Sequence, residues 1–200
     1  RARFRGDVSR ERVADAALEL TLGDLQASAQ GSLGQPGDRL GFVLRAATLA
    51  RLDARLDGSL SASGELIGGF GNRAGAAAGG ALGIVADIEG RRLRWADTAR
   101  VGTLSGRIEL PDLGAGRVMI RADASALQIA GRPLDRLRAR ADGEVTAHAL
   151  QLELSGPQVS ARASARGALA QAGSADWRWE GSVEELVADA PVPLRLERPA

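Results

Sequence analysis

The sequence contains no cysteine, tyrosine or lysine, and it has one histidine and one methionine among its 200 residues. The absence of cysteine excludes disulfides and thiolate metal sites, and a lone histidine, His148, excludes metal sites built from several imidazoles. There is no run of about 20 apolar residues, which is the length needed for a helix to cross a bilayer. Aromatic residues make up 3% of the chain, too few for a dense aromatic core.

The patterns that accompany common catalytic chemistry are also missing. There is no G-x-S-x-G elbow, no phosphate-binding P-loop and no dinucleotide fingerprint. A Ser-His-Asp triad would need His148 as its base, but the alternation of residues 137–148 predicts a solvated histidine on the polar side of a strand. Glu184 and Glu185 are adjacent, so in a strand they would point to opposite faces. We therefore expect no enzyme activity, no catalytic residue, no metal and no cofactor.

Charge is balanced, with 26 basic residues, all arginine, against 25 acidic ones. Nucleic-acid binding usually needs a clustered basic excess, so the balance argues against it. Arginines do cluster at residues 91–94 and 132–140. We interpret these clusters as solvated faces, with contact to anionic lipid head groups as the alternative.

The main positive signal is period-two alternation of apolar and polar residues, which is typical of strands with one apolar face. It is clearest at residues 56–66, 137–147 and 159–169, and turn-rich glycine and proline segments separate such runs. The sequence therefore predicts an all-β chain forming a long antiparallel meander. Residues 68–83, rich in glycine and alanine, are expected to be a flexible loop. One or two short helical turns are expected, from the apolar spacing at residues 13–20 and 49–56.

Small side chains dominate the predicted apolar face, which consists mainly of leucine, alanine, glycine and valine. Protein interiors pack to crystal-like density, and a compact sandwich usually fills its centre with large side chains. A face made of small residues leaves room. That room could take a second sheet at close approach, or a ligand that makes no polar demands.

Several local patterns resemble the TamB family, the inner-membrane-anchored subunit of the translocation and assembly module, with its bridge-like lipid-transfer and AsmA-like relatives. The resemblance is carried by Leu56-Asp-Gly-Ser-Leu-Ser-Ala-Ser-Gly64, by Gly131-Arg-Pro-Leu134 with the Gly143 and His148-Ala-Leu150 that follow it, and by Trp179-Glu-Gly181-Ser-Val183. It extends from about residue 56 to the end of the chain, where Pro193-Leu194 is similar to the segment that follows in the family. Residues 1–41 match only in their general alternation.

The resemblance implies a fold and a cellular setting. Residues 1–200 would form a single segment of a longer periplasmic protein from a Gram-negative bacterium, tethered to the inner membrane by an N-terminal helix that is absent from this chain. Its elongated sheet would curl into an open apolar groove, called a β-taco. The implied partners are phospholipid acyl chains and, through the parent protein, a TamA-like outer-membrane barrel of the Omp85 type.

The implied function is outer-membrane biogenesis, in which the groove conducts phospholipid acyl chains between the inner and outer membranes. One alternative is a chaperone or scaffold groove that assists secretion and assembly of autotransporters and outer-membrane barrels. A second is a purely structural closed β-sandwich or β-solenoid. If the groove exists, we expect it to be lined by Leu56, Leu60, Leu66, Leu104, Ile108, Val118, Ile120, Leu137, Val145, Leu150, Leu152, Val159, Leu169, Trp177, Trp179 and Val183.

Overall fold

The computed structural model describes residues 1–9, 11–69, 82–112, 116–169, 177–188 and 194–196. These residues form thirteen strands and one 3₁₀ turn, Leu49–Arg51. The strands are β1 Ala2–Val8, β2 Val13–Leu22, β3 Leu25–Leu33, β4 Arg39–Ala46, β5 Leu56–Ile67, β6 Gly83–Trp95, β7 Ala99–Leu110, β8 Arg117–Ile129, β9 Arg132–Glu144, β10 Ala147–Ser155, β11 Val159–Leu169, β12 Trp177–Ala188 and β13 Leu194–Leu196.

All of these strands belong to one sheet, and each pairs with the strand that precedes or follows it in the chain. Every pairing is antiparallel, so the topology is a simple meander. The sheet is open, because β1 and β13 are its two ends. The predicted all-β meander is therefore confirmed, and within the described residues the closed-sandwich architecture is not the one observed.

Two predicted helical turns have different outcomes. The turn near residues 49–56 is present as Leu49–Arg51, which leads into β5. The helical spacing at residues 13–20 is misleading, because these residues lie in β2. Val13 and Ala16 lie on the same face of β2 although they are three residues apart in the sequence. The reason is Asp15, which has a φ of 48° and forms an irregularity that shifts the alternation by one residue. The predicted loop at residues 68–83 lies mostly outside the described residues.

A line of irregular residues crosses five strands at the same level of the sheet, and we call this line the crease. Its members lie opposite one another in the register and are Gly58, Arg92, Gly102, Ala126 and Asp135. Gly58, Arg92 and Ala126 have positive φ values of 96°, 49° and 52°. The register shifts between β5 and β6 at this level, and a bulge of this kind bends a strand and increases its twist. Because regular pairing is interrupted at the same level in five neighbouring strands, the crease is where we expect the sheet to bend.

The crease has a sequence signature, namely apolar residues three apart within an otherwise period-two pattern. The pairs are Gly90/Leu93, Val101/Leu104, Ala124/Leu127 and Leu134/Leu137. Both members of each pair lie on the same face, and the last three pairs pack together in one cluster. The irregular residue between them restores the apolar side chains to that face.

Packing between side chains is limited, as expected for a single layer. The buried apolar residues form small clusters, such as Val118 with Val145, and no large side chain is fully buried among the described residues. The accessible surface is 13302 Å². A compact monomer of 20.7 kDa would expose about 8,900 Å². The excess is expected, because the described strands form one sheet without a second layer of strands against it.

Candidate functional site: the apolar face of the sheet

One face of the sheet, here called the apolar face, carries the inward side chains of every alternating run. The strand register joins these residues into continuous rows that cross the sheet. One row contains Leu20, Ala27, Leu44, Ala62, Ile88, Gly106, Ala122, Ala139, Leu152, Ala163 and Val183. At about 4.8 Å between strands, thirteen strands make the face about 58 Å long. This row is apolar on every strand from β2 to β12.

The rows mix large residues with alanines and glycines. Leu152, for example, lies between Ala139 on β9 and Ala163 on β11. Its side chain is 37% exposed, because alanines on both sides leave space around it. The face is thus neither a dense core nor a smooth surface, and it leaves gaps between its larger side chains.

The register fixes the face of the sheet on which most of the predicted groove-lining residues lie. Their positions on the apolar face follow from the register for Leu56, Leu60, Leu66, Leu104, Ile108, Val118, Ile120, Leu137, Leu150, Leu152, Val159 and Val183. Leu169, Trp177 and Trp179 occupy the corresponding backbone positions, with Leu169 opposite Trp177, but their side chains lie outside the described part. Whether these residues contact a ligand stays a prediction.

Val145 differs from the expectation, because it does not belong to a strand. Val145 and Thr146 form the turn between β9 and β10, so β9 ends at Glu144. Val145 is only 3% exposed and packs on Val118, with Leu110 and Ile120 beside the pair. It is therefore a packing residue at the edge of the apolar face.

The same turn overturns the prediction that His148 is solvated on the polar side. The two turn residues reverse the chain, and His148 then lies opposite Gly143 and Gly167, on the apolar face. It is 6% exposed, and its Nδ1 lies 3.3 Å from the carbonyl oxygen of Glu144. The two flanking glycines leave the space that the imidazole fills.

The sequence patterns missed part of the face. The predicted lining began at Leu56, but the register continues the apolar rows through β4, β3 and β2, with Phe42 opposite Gly64 and Leu18 opposite Ala29. The same alternation is present there, for example at residues 18–22, and only in β2 does the irregularity at Asp15 interrupt it. Arg132 also differs from the expectation, because it takes a position on the apolar face, opposite Ile129.

The opposite, polar face carries cross-strand ion pairs. On five successive strands, oppositely charged residues alternate in one row, the charge ladder of Asp123, Arg138, Glu153, Arg162 and Glu185. Arg138 Nε lies 3.2 Å from Asp123 Oδ1, and Arg162 Nη1 lies 3.6 Å from Glu185 Oε2. Exposed pairs of this kind contribute about 0.2–1 kcal/mol each, so the ladder supports register more than total stability.

Ion pairs also perturb titration on the polar face and in the connections. Hydrogen bonds from Arg55 lower the pKa of Asp53 to about 2. Hydrogen bonds to Glu109 and Asp87 raise the pKa of Arg107. These groups lie away from the apolar face and belong to exposed ion pairs, so their shifts give no indication of a reactive centre.

Within the described ranges, no cluster of three potential metal ligands is present, and no helix has the length and hydrophobicity needed to cross a bilayer. What the described residues assemble is an extended apolar surface backed by a charged one. Such a surface can hold hydrocarbon.

Comparison with known proteins identifies a family whose model matches this chain. A family model described as the N-terminal domain of TamB matches residues 5–200. The match includes residues 5–41, where the sequence patterns resemble that family only in their general alternation. No curated protein and no solved structure matches the chain.

Proposed function

Because the chain belongs to the TamB family, we propose that its apolar face conducts phospholipid acyl chains in outer-membrane biogenesis. TamB is an envelope protein of Gram-negative bacteria and part of the translocation and assembly module with TamA. In this proposal the segment lies in the periplasm and bridges part of the distance between the two membranes. The parent protein, rather than this segment alone, would meet the outer-membrane TamA barrel.

The observation that carries the proposal is the unbroken apolar face of an open sheet. A phospholipid with about 30 tail methylenes would lose about 24 kcal/mol of burial on exposure to water, at about 0.8 kcal/mol per methylene. Apolar rows that run from β1 to Val183 of β12 remove much of that cost at every step of the path. Because the rows combine leucines with alanines and glycines, they favour contact with a chain without fixing it at one position.

Direct lipid uptake tests the proposal. The purified, detergent-free chain is incubated with a fluorescent phospholipid and separated from free lipid by gel filtration. We expect lipid to elute with the native protein and to be lost in Leu60→Arg, which places a charge on the apolar face. Ser61→Arg is the matched control, since it adds the same charge one residue away on the polar face, opposite Glu89. A folded Leu60→Arg protein that retains lipid as well as Ser61→Arg does would contradict the proposal.

A second candidate function, a chaperone groove for unfolded strands of autotransporters and outer-membrane barrels, is favoured by a different feature. Among the described strands, β1 pairs only with β2, which leaves its other edge open to strand addition. This candidate predicts binding of a barrel-strand peptide that lipid does not displace. Displacement of the peptide by phospholipid would instead place both ligands on the apolar face and favour the lipid path.

A further inference from the structure

The apolar face ends at a row of residues next to the turns that join β6 to β7 and β8 to β9. This outer row contains Leu56, Trp95, Ala99, Ile129 and Arg132. It lies two residues beyond the row of Leu127 and Leu134, which are 5% and 6% exposed. By contrast, Trp95 is 60% and Ile129 44% exposed. The outer row is therefore where the face passes from buried hydrocarbon to water.

Arg132 is unusual in this position. The register does not fix the face of the irregular residues Asp15, Arg92 and Asp135. At the regular positions of the described strands, the apolar face carries two ionisable side chains, Arg132 and His148, and they lie at opposite ends of the strands. His148 is buried, whereas Arg132 is exposed. No ion pair or side-chain hydrogen bond joins Arg132 to another of the described residues, although many arginines of the polar face are paired. Among the described residues it is thus a positive charge without an ion pair, at the border of a hydrocarbon-like surface.

The chemistry of an arginine at such a border is specific. Its aliphatic stem can lie along Ile129 while the guanidinium reaches water, as long basic side chains do at membrane interfaces. The guanidinium offers a planar set of donors that matches two oxygens of a phosphate. Trp95, exposed in the same row, has the amphipathic character that favours the level of lipid head groups.

We propose that Arg132 binds the phosphate of a glycerophospholipid whose acyl chains lie on the apolar face, with Trp95 and Ile129 flanking the glycerol region. This inference rests on the proposed function and adds a head-group site to it. Arg132 would keep the head group at the edge of the sheet and let the tails follow the apolar rows. The site would select lipids that carry a phosphate over lipids of the same chain length that do not.

A pair of probes separates head-group binding from tail binding. Fluorescent phosphatidylglycerol and fluorescent diacylglycerol with identical chains are titrated into the native protein, Arg132→Gln and Arg100→Gln. Arg100 is the matched control, because it is an exposed arginine at the same end of the adjacent β7, without an ion pair among the described residues, but on the polar face. We expect the native protein to bind phosphatidylglycerol about fivefold more tightly than diacylglycerol, which is the effect of one basic residue near an anionic lipid.

The expected result is that Arg132→Gln abolishes the preference and leaves diacylglycerol binding unchanged, while Arg100→Gln keeps the preference. If Arg132→Gln retains the preference, or if Arg100→Gln loses it equally, the head-group site is refuted and the apolar path is unaffected. If the folded native protein binds neither lipid, the proposed function itself fails. Circular dichroism of each variant confirms that the sheet is intact.

Discussion

Arginine at Val145 should destabilise the fold, whereas arginine at Leu152 should leave the fold intact and prevent lipid binding. The difference arises because the two residues contribute to the apolar face in different ways. Val145 is 3% exposed in the turn between β9 and β10 and packs on Val118. Leu152 is 37% exposed in the middle of β10, with alanines opposite it on both neighbouring strands. The first is a structural residue, and the second is an accessible part of the proposed path.

The magnitudes follow from burial. An unpaired charge in place of Val145 should cost about 3–5 kcal/mol of unfolding free energy. For a chain of this size that corresponds to a fall in Tm of about 10 °C. Leu152→Arg can extend into the space above its alanine neighbours and should cost only about 0.5–1 kcal/mol. However, placing a guanidinium next to acyl chains costs about 2.5–3.5 kcal/mol of lipid-binding free energy. That cost corresponds to about a 100-fold loss of lipid affinity.

Thermal unfolding followed by circular dichroism, combined with uptake of a fluorescent phospholipid, measures both effects. Gln151→Arg is the control for Leu152→Arg, since it introduces the same side chain at the adjacent, exposed position of the polar face. The reasoning is refuted if Val145→Arg melts at the native temperature. It is also refuted if folded Leu152→Arg takes up lipid as well as Gln151→Arg does.

Three further predictions concern the polar face, the crease and an exposed connection. Arg162 pairs with both Glu153 and Glu185. Arg162→Gln should therefore lower Tm by about 2–4 °C in low salt. In 1 M salt the difference in Tm from the native protein should shrink. Ala126→Gly should raise Tm slightly or leave it unchanged, because Ala126 has a φ of 52° that glycine adopts without strain; a clear fall in Tm would contradict the assigned backbone. Asp53 should titrate near pH 2 by NMR and return towards 3.8 in Arg55→Gln. Since its pKa is lowered by folding, its contribution to stability is present above about pH 4 and is lost as pH falls through about 2; an unshifted native titration would exclude the ion pair.

The meander could be predicted from the sequence because period-two alternation is a direct consequence of strand geometry. Residues 56–66 and 159–169 alternate without interruption, and they form parts of β5 and β11 as expected. The inward positions in those runs lie on the apolar face for the same reason. Gly/Pro-rich breaks also marked several connections correctly, including the one after Ser155.

The failures occur where the alternation shifts by one residue. The two-residue turn at Val145 continues the apolar period of β9 by coincidence, so sequence reasoning extended the strand through it and placed His148 on the wrong face. The irregular residue Asp15 produced a three-residue spacing that resembles a helix. The crease produces the same spacing in four neighbouring strands, and only their register shows that these spacings lie at one level. Arg132 was counted with an arginine cluster because its face depends on the same shift between Leu134 and Leu137.

Native mass spectrometry of the detergent-free chain from a Gram-negative host, with lipid extraction alongside, tests the central claim most directly. The account predicts phospholipid bound to the native protein and its loss in Leu152→Arg, while Gln151→Arg retains it. A folded, lipid-free native protein that also takes up no added phospholipid would contradict the claim that the apolar face of this sheet is a path for lipid.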